Sequence, residues 1–115
     1  MGRRSRSPAF EVQGILGYGF LEKVYQKAMQ AELVRRGSKA ELEHKITVSY
    51  KNVSVGDYEA DLFVEQAVIV ELKVAKTYRA EDEAQLLNEL KATGVKVGLL
   101  INFGRTEVAF KRMVF

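Results

Sequence analysis

The sequence contains no cysteine, which excludes a disulfide framework, a thiolate metal site and a cysteine nucleophile. A single histidine, His44, rules out a His-rich zinc site or a two-histidine proton relay. No apolar run approaches the length of a membrane span. The arginines at the start, Arg3, Arg4 and Arg6, are followed by no apolar segment of the kind a signal peptide carries, so a cytoplasmic location is the expectation. What remains is 115 residues of ordinary apolar content, enough for one domain with one core. A net charge of +3 permits a nucleic-acid partner without establishing one.

Residues 1–9 (MGRRSRSPA), basic and closed by the only proline, Pro8, read as a flexible arm, and residues 10–115 read as the folded domain. A short helical pattern at 10–16 is broken by Gly17 and Gly19. From Phe20 to Arg36 the spacing of Leu21, Val24, Tyr25, Ala28 and Ala31 predicts a helix, with Gly37 as its stop. Ile46, Val48 and Tyr50 alternate as a half-buried strand, with Lys51-Asn52 as a turn. A second strand runs from Tyr58 to Val64, a hairpin connection follows at 65–67, and a third strand covers 68–73. Residues 80–93 predict a helix with Ala84, Leu87, Leu90 and Lys91 on one side, and Gly94 ends it. Strands at 95–103 and 106–115 complete the chain, and the helix between 68–73 and 95–103 allows a parallel crossover. Phe63, Phe103 and Phe110 are expected in the core.

The stretch that points to chemistry is Val68-Ile69-Val70-Glu71-Leu72-Lys73. Strand alternation puts Glu71 and Lys73 on one face and Val70 and Leu72 on the other. Charges at the end of a buried strand are costly unless they are paired or functional. An antiparallel hairpin would bring Asp61 of the preceding strand alongside them. An E-x-K pair alone is usually a solvated ion pair; joined to an upstream aspartate and an apolar run it suggests carboxylates that hold a divalent metal beside a phosphate. The glycines at 17 and 19 do not open a dinucleotide loop, because Glu22 stands where the third glycine is required.

Gly19-Phe20-Leu21-Glu22-Lys23-Val24-Tyr25 fits the GxxExxY pattern of a family of small bacterial and archaeal proteins, which the chain resembles from about Val12 onward. Leu16-Gly17-Tyr18-Gly19, Asp61, Val70-Glu71-Leu72-Lys73, Ala84-Gln85-Leu86-Leu87 and the run Gly98 to Gly104 carry the same resemblance. That family is similar to a compact branch of the PD-(D/E)xK nuclease superfamily. The resemblance implies an α/β, restriction-endonuclease-like fold: an αβββαβ core, a mixed central sheet flanked by helices, here with an extra C-terminal strand. It implies Asp61, Glu71 and Lys73 as the catalytic set, with Gln85 orienting groups in the site. Asp61, Glu71, the carbonyl of Leu72 and Glu22 would hold Mg²⁺ or Mn²⁺. Nucleic acid, DNA in preference to RNA, would be the substrate, and Lys76 and Arg79 its phosphate contacts. Small members of the superfamily often pair, which makes a homodimer an expectation, with the terminal strand ending in Met113-Val114-Phe115 as a candidate edge. Three departures stand out: Gln13 and Asp82 occupy positions where the family often has histidine, and Glu89 one where it often has tyrosine. A binding or scaffolding module that keeps the fold without turnover is the alternative to a nuclease.

Overall fold

The structure, a computed structural model, describes residues 7–77 and 79–115. Helix α1 (Pro8–Leu16) begins where Ser7 caps it, its hydroxyl accepting from the Phe10 N–H at 3.3 Å. Pro8 occupies the first helical turn, where its missing N–H costs nothing. Pro8 therefore opens the helix and does not close an arm, and Ala9 is already buried. Residues 1–6 of the expected basic arm lie outside the described residues. Helix α2 (Glu22–Arg35) ends at the turn through Gly37, whose φ of 89° favours glycine.

Strands β1 (Ala40–Tyr50), β2 (Val53–Val64), β3 (Val68–Lys73), β4 (Val97–Asn102) and β5 (Ala109–Val114) form one sheet in the order β1-β2-β3-β4-β5. The β1/β2, β2/β3 and β4/β5 pairs are antiparallel; β3 and β4 are parallel, joined by helix α3 (Ala80–Thr93). Lys51-Asn52 and Glu65-Gln66-Ala67 make the two tight connections, with positive φ at Lys51, Asn52, Glu65 and Gln66. The first two strands start earlier than alternation predicts. In the added segments Glu41 and Val53 lie exposed, so pairing with Phe63 and Tyr50 rather than burial holds them in the sheet, while the exposed Glu43 and Val55 fall between ladder pairs. The last two strands are shorter than expected, 97–102 and 109–114, because Val95 and Phe103 to Val108 leave the ladder.

Helices α1 and α2 cover one face of the sheet and α3 the other, as the two core clusters show. Ala9, Val12, Tyr25 and Met29 pack on Leu62, Val70, Leu72, Ile101 and Phe103. Leu86 and Leu90 of α3 pack on Ile46, Ala60, Ile69, Leu100 and Met113. Full burial of each of these leucines is worth roughly 2–3 kcal/mol. A Cβ on Gly98 of β4 would lie 2.8 Å from the Leu86 side chain, so this glycine lets α3 sit close. The buried stripe of α3 is Leu86, Glu89 and Leu90; of the side that spacing assigned to Ala84, Leu87, Leu90 and Lys91, Ala84 and Lys91 are exposed. The carboxylate at 89 hid that stripe from a hydrophobic-spacing argument. Phe110 is also exposed, meeting Phe10 edge-on at 5.4 Å, and Phe63 is half-buried against the His44 ring. Among the described residues no helix is long and apolar enough to cross a membrane.

Candidate active site

The site forms where β2 separates from β3. Their ladder pairs Val64 with Val68, Phe63 with Ile69 and Leu62 with Val70, and ends there. Asp61 and Glu71 are the next residues on each strand. Asp61 Oδ2 accepts the Leu72 backbone N–H at 2.7 Å, so a side chain bridges the strands where the backbone ladder has stopped. Gln26 of α2 donates to the Asp61 carbonyl at 2.9 Å and fixes the backbone from the other side. Ala60 and Leu62, two apart on β2, belong to opposite core clusters, so the strand rotates at Asp61. Across from it on β1, Glu43 has φ 54°.

Glu71 is buried on the α3 face, next to the equally buried Glu89. Gln85 donates to Glu89 Oε2 at 3.1 Å, one helical turn away. Glu71 Oε2 and Glu89 Oε1 are buried with no hydrogen-bond partner among the described residues. Burial, then the hydrogen bond and charge of Glu89, then the charge of Asp61, hold the Glu71 carboxyl far above the usual carboxylate range. Burial and the neighbouring carboxylates of Glu89 and Asp61 therefore favour the protonated form of Glu71.

Glu22 joins from the first turn of α2. Burial raises its pKa, against the opposing charge of Lys73, while Asp61 and Asp82 raise it further and a hydrogen bond from the Val74 backbone lowers it. Lys73 Nζ lies 3.6 Å from Asp82 Oδ1, and Asp82 Oδ2 accepts the Arg79 N–H at 3.1 Å as part of the α3 capping box. Asp61, Glu71, Lys73, Glu22 and Gln85 are therefore gathered at one end of β3. Lys76 and Arg79 are exposed on the β3–α3 connection; Arg79 Nε lies 3.7 Å from Glu81.

The surrounding frame is built from residues that a reading for charge pairs passes over. Asn102, buried at the end of β4, accepts the N–H groups of Ala75 and Gly104 on Oδ1 and donates Nδ2 to the Ala75 carbonyl at 2.6 Å. Phe103 N–H donates to the Lys73 carbonyl at 2.8 Å. A Cβ on Gly104 would lie 2.3 Å from the Ala75 nitrogen, so only glycine allows this close approach. The chain just after Lys73 is thereby clamped. Tyr25, stacked on Phe103 at 4.5 Å, donates its hydroxyl to the Gly17 carbonyl at 2.7 Å and accepts the Phe20 N–H at 3.3 Å. The glycine, glutamate and tyrosine spaced three apart have distinct physical tasks: Gly19 turns the loop at φ 111°, Glu22 faces the site, and Tyr25 pins the loop from below.

Carboxylate and carbonyl oxygens are the donors that hard divalent cations take, and the orphaned oxygen of Glu71, near Asp61, and that of Glu89 suit such an ion chemically. Among the described residues no three carboxylate or imidazole groups stand in a coordinating arrangement. Asp61 is turned to the Leu72 N–H and Glu71 to Glu89.

Comparison with known proteins bears on the family. In superposition with solved structures, the chain is similar to one titled "Crystal structure of SSO0001", with a TM-score of 0.61 at 13% sequence identity. The match covers 81% of this chain and 50% of the other, so the chain spans about half the length of that protein. A likeness at this identity speaks to the fold, a five-stranded mixed sheet flanked by helices and consistent with the restriction-endonuclease type. No curated protein matches the sequence significantly. The family model of the PD-(D/E)XK nuclease superfamily matches residues 2–113, nearly the whole chain, and the chain belongs to that superfamily.

Proposed function

We propose that the protein is a metal-dependent nuclease of the GxxExxY branch that hydrolyses phosphodiester bonds in DNA, with RNA as the less favoured substrate. The observation that carries this is the burial of Glu71, with an unpartnered oxygen, beside Asp61 and Lys73 where two strands part. A binding surface has no use for a buried carboxyl group crowded by further carboxylates; a cation site does. Asp61, Glu71 and the Leu72 carbonyl would hold Mg²⁺ or Mn²⁺, with Glu22 completing the set. A bound ion supplies polarisation of the phosphate and a lowered pKa for a coordinated water. Lys73, steadied by Asp82, offsets charge developing on the phosphoryl oxygens or orients the attacking water. Gln85 acts through Glu89, holding the carboxylate that faces Glu71. Lys76 and Arg79, exposed at the end of the same strand, contact neighbouring phosphates without reading sequence.

A homodimer paired along β5 belongs to the same proposal, supported by an edge strand that leaves Val114 and Phe115 exposed. A clean monomer by light scattering removes that part alone.

One observation favours the rival, a silent nucleic-acid-binding module: Asp61 is already engaged by the Leu72 N–H, and burial favours the uncharged form of Glu71. Incubation with single-stranded, duplex and branched DNA and with RNA, in Mn²⁺ and then in EDTA, separates the two. Cleavage that stops in EDTA is the expected result. Nucleic-acid binding that EDTA leaves intact, with no cleavage under any condition, would transfer the protein to the binding class.

A further inference from the structure

The loop between α1 and α2 exposes three large apolar side chains in a row of four. Tyr18 is 59% exposed, Phe20 47% and Leu21 77%. Exposed apolar groups scattered singly need no explanation, but a contiguous set does. The loop is also held firmly. Tyr25 is fully buried, grips the Gly17 carbonyl and the Phe20 N–H, and meets the Phe20 ring edge-on at 6.2 Å. The next residue in the chain is Glu22, whose carboxylate feels Lys73 and Asp61. A largely apolar loop, fastened at Gly17 and Phe20, thus leads directly into a residue of the carboxylate site.

Its chemistry narrows what it meets. From Val12 to Leu21 the chain carries no charge, so the loop cannot grip phosphates as Lys76 and Arg79 can. Aromatic rings offer stacking to the faces of bases. In a continuous duplex those faces are hidden against neighbouring base pairs. They are open at a single strand, a frayed end, a gap or a branch.

We propose that Tyr18, Phe20 and Leu21 form a stacking wedge for unpaired bases next to the scissile phosphate, so that the substrate is DNA with single-stranded character at the cleavage point. This rests on the nuclease reading above and names its substrate class. Tyr18 and Leu21 touch bases and not the reacting atoms; they are specificity residues.

The test measures binding by anisotropy for the full chain, with Ca²⁺ as the cation, on a labelled single strand, the same strand in a blunt duplex, and a forked duplex. The variants are the Tyr18→Ala, Leu21→Ala double substitution and Tyr18→Phe. Both sites are exposed, so the melting temperature should stay within a few degrees, which is measured in parallel. The parent should favour the single strand and fork over the duplex. The double variant should lose about 5- to 100-fold on those two and less than about 2-fold on the duplex. Tyr18→Phe should keep the parent's preference. Equal losses on all three DNAs, no loss on any, or a parent that dimerises through this loop would overturn the wedge. If duplex and single strand bind alike while EDTA-sensitive cleavage persists, the wedge fails and the nuclease stands. If the parent neither binds nor cuts any nucleic acid, both fail.

Discussion

Asp61→Asn is expected to reduce metal-dependent cleavage by about a thousandfold or more while leaving the fold intact. The substitution keeps a side-chain oxygen to accept the Leu72 N–H, so the bridge between the parted strands survives. It removes the negative charge that would bind the cation. Metal polarisation is worth several kcal/mol of transition-state stabilisation, and each 1.4 kcal/mol is about tenfold in rate. Asp61→Ala loses the acceptor as well and leaves a backbone N–H unpaired, at a cost of about 1–3 kcal/mol. Activity should therefore separate the two variants from the parent, and stability should separate Ala from Asn. Single-turnover cleavage and thermal melts in EDTA check both. An Asn variant with activity within tenfold of the parent would remove Asp61 from the reaction.

The second large effect is on stability and pH. The Glu71 pKa is raised in the folded state, so between the ordinary carboxylate range and its folded value the native protein binds a proton that the unfolded chain has lost. Stability must then be fully present below the ordinary value and fall as pH rises, by up to about 1.4 kcal/mol per pH unit. Glu22 shifts in the same direction and adds to the slope. Glu71→Gln carries no titrating proton and can still donate to Glu89. In EDTA it should be more stable than the parent at pH 8 by about 2 kcal/mol or more, with the difference closing towards pH 5. Urea melts at pH 5, 6.5 and 8 make the comparison. Parallel curves for the two proteins would mean that Glu71 is ionised in the fold.

Much of this arrangement was legible in the residues. The β3 run showed its two faces: Val70 and Leu72 lie in the α1/α2 cluster, Ile69 in the α3 cluster, and Glu71 is buried beside Glu89 of α3. The boundaries of α3 followed from its acidic first turn and Gly94, and the three-residue hairpin connection explains how Asp61 returns to Glu71. What escaped was polar groups doing core tasks. Glu89 sits in a buried stripe that hydrophobic spacing cannot detect, because the residue there is a carboxylate. Asp82 reads as a helix-start acid, and its second oxygen reaches Lys73 only through the path of the β3–α3 connection. Asn102 looks like a strand-end residue, and its clamp on Ala75 spans 27 positions. The Gln85–Glu89 pair was within reach of a helical i, i+4 argument, and only the burial of Glu89 gives it meaning.

If Asp61, Glu71 and Glu22 make a divalent-cation centre, an ion bound there displaces the proton that burial keeps on Glu71. Calorimetric titration of Mn²⁺ into the parent at pH 7, repeated in two buffers of different ionisation enthalpy, tests it most directly. The expected result is one ion bound per chain with release of close to one proton, and no proton release from Glu71→Gln. Absence of Mn²⁺ binding at millimolar concentration, or binding that is identical in the parent, Asp61→Asn and Glu71→Gln, would contradict it.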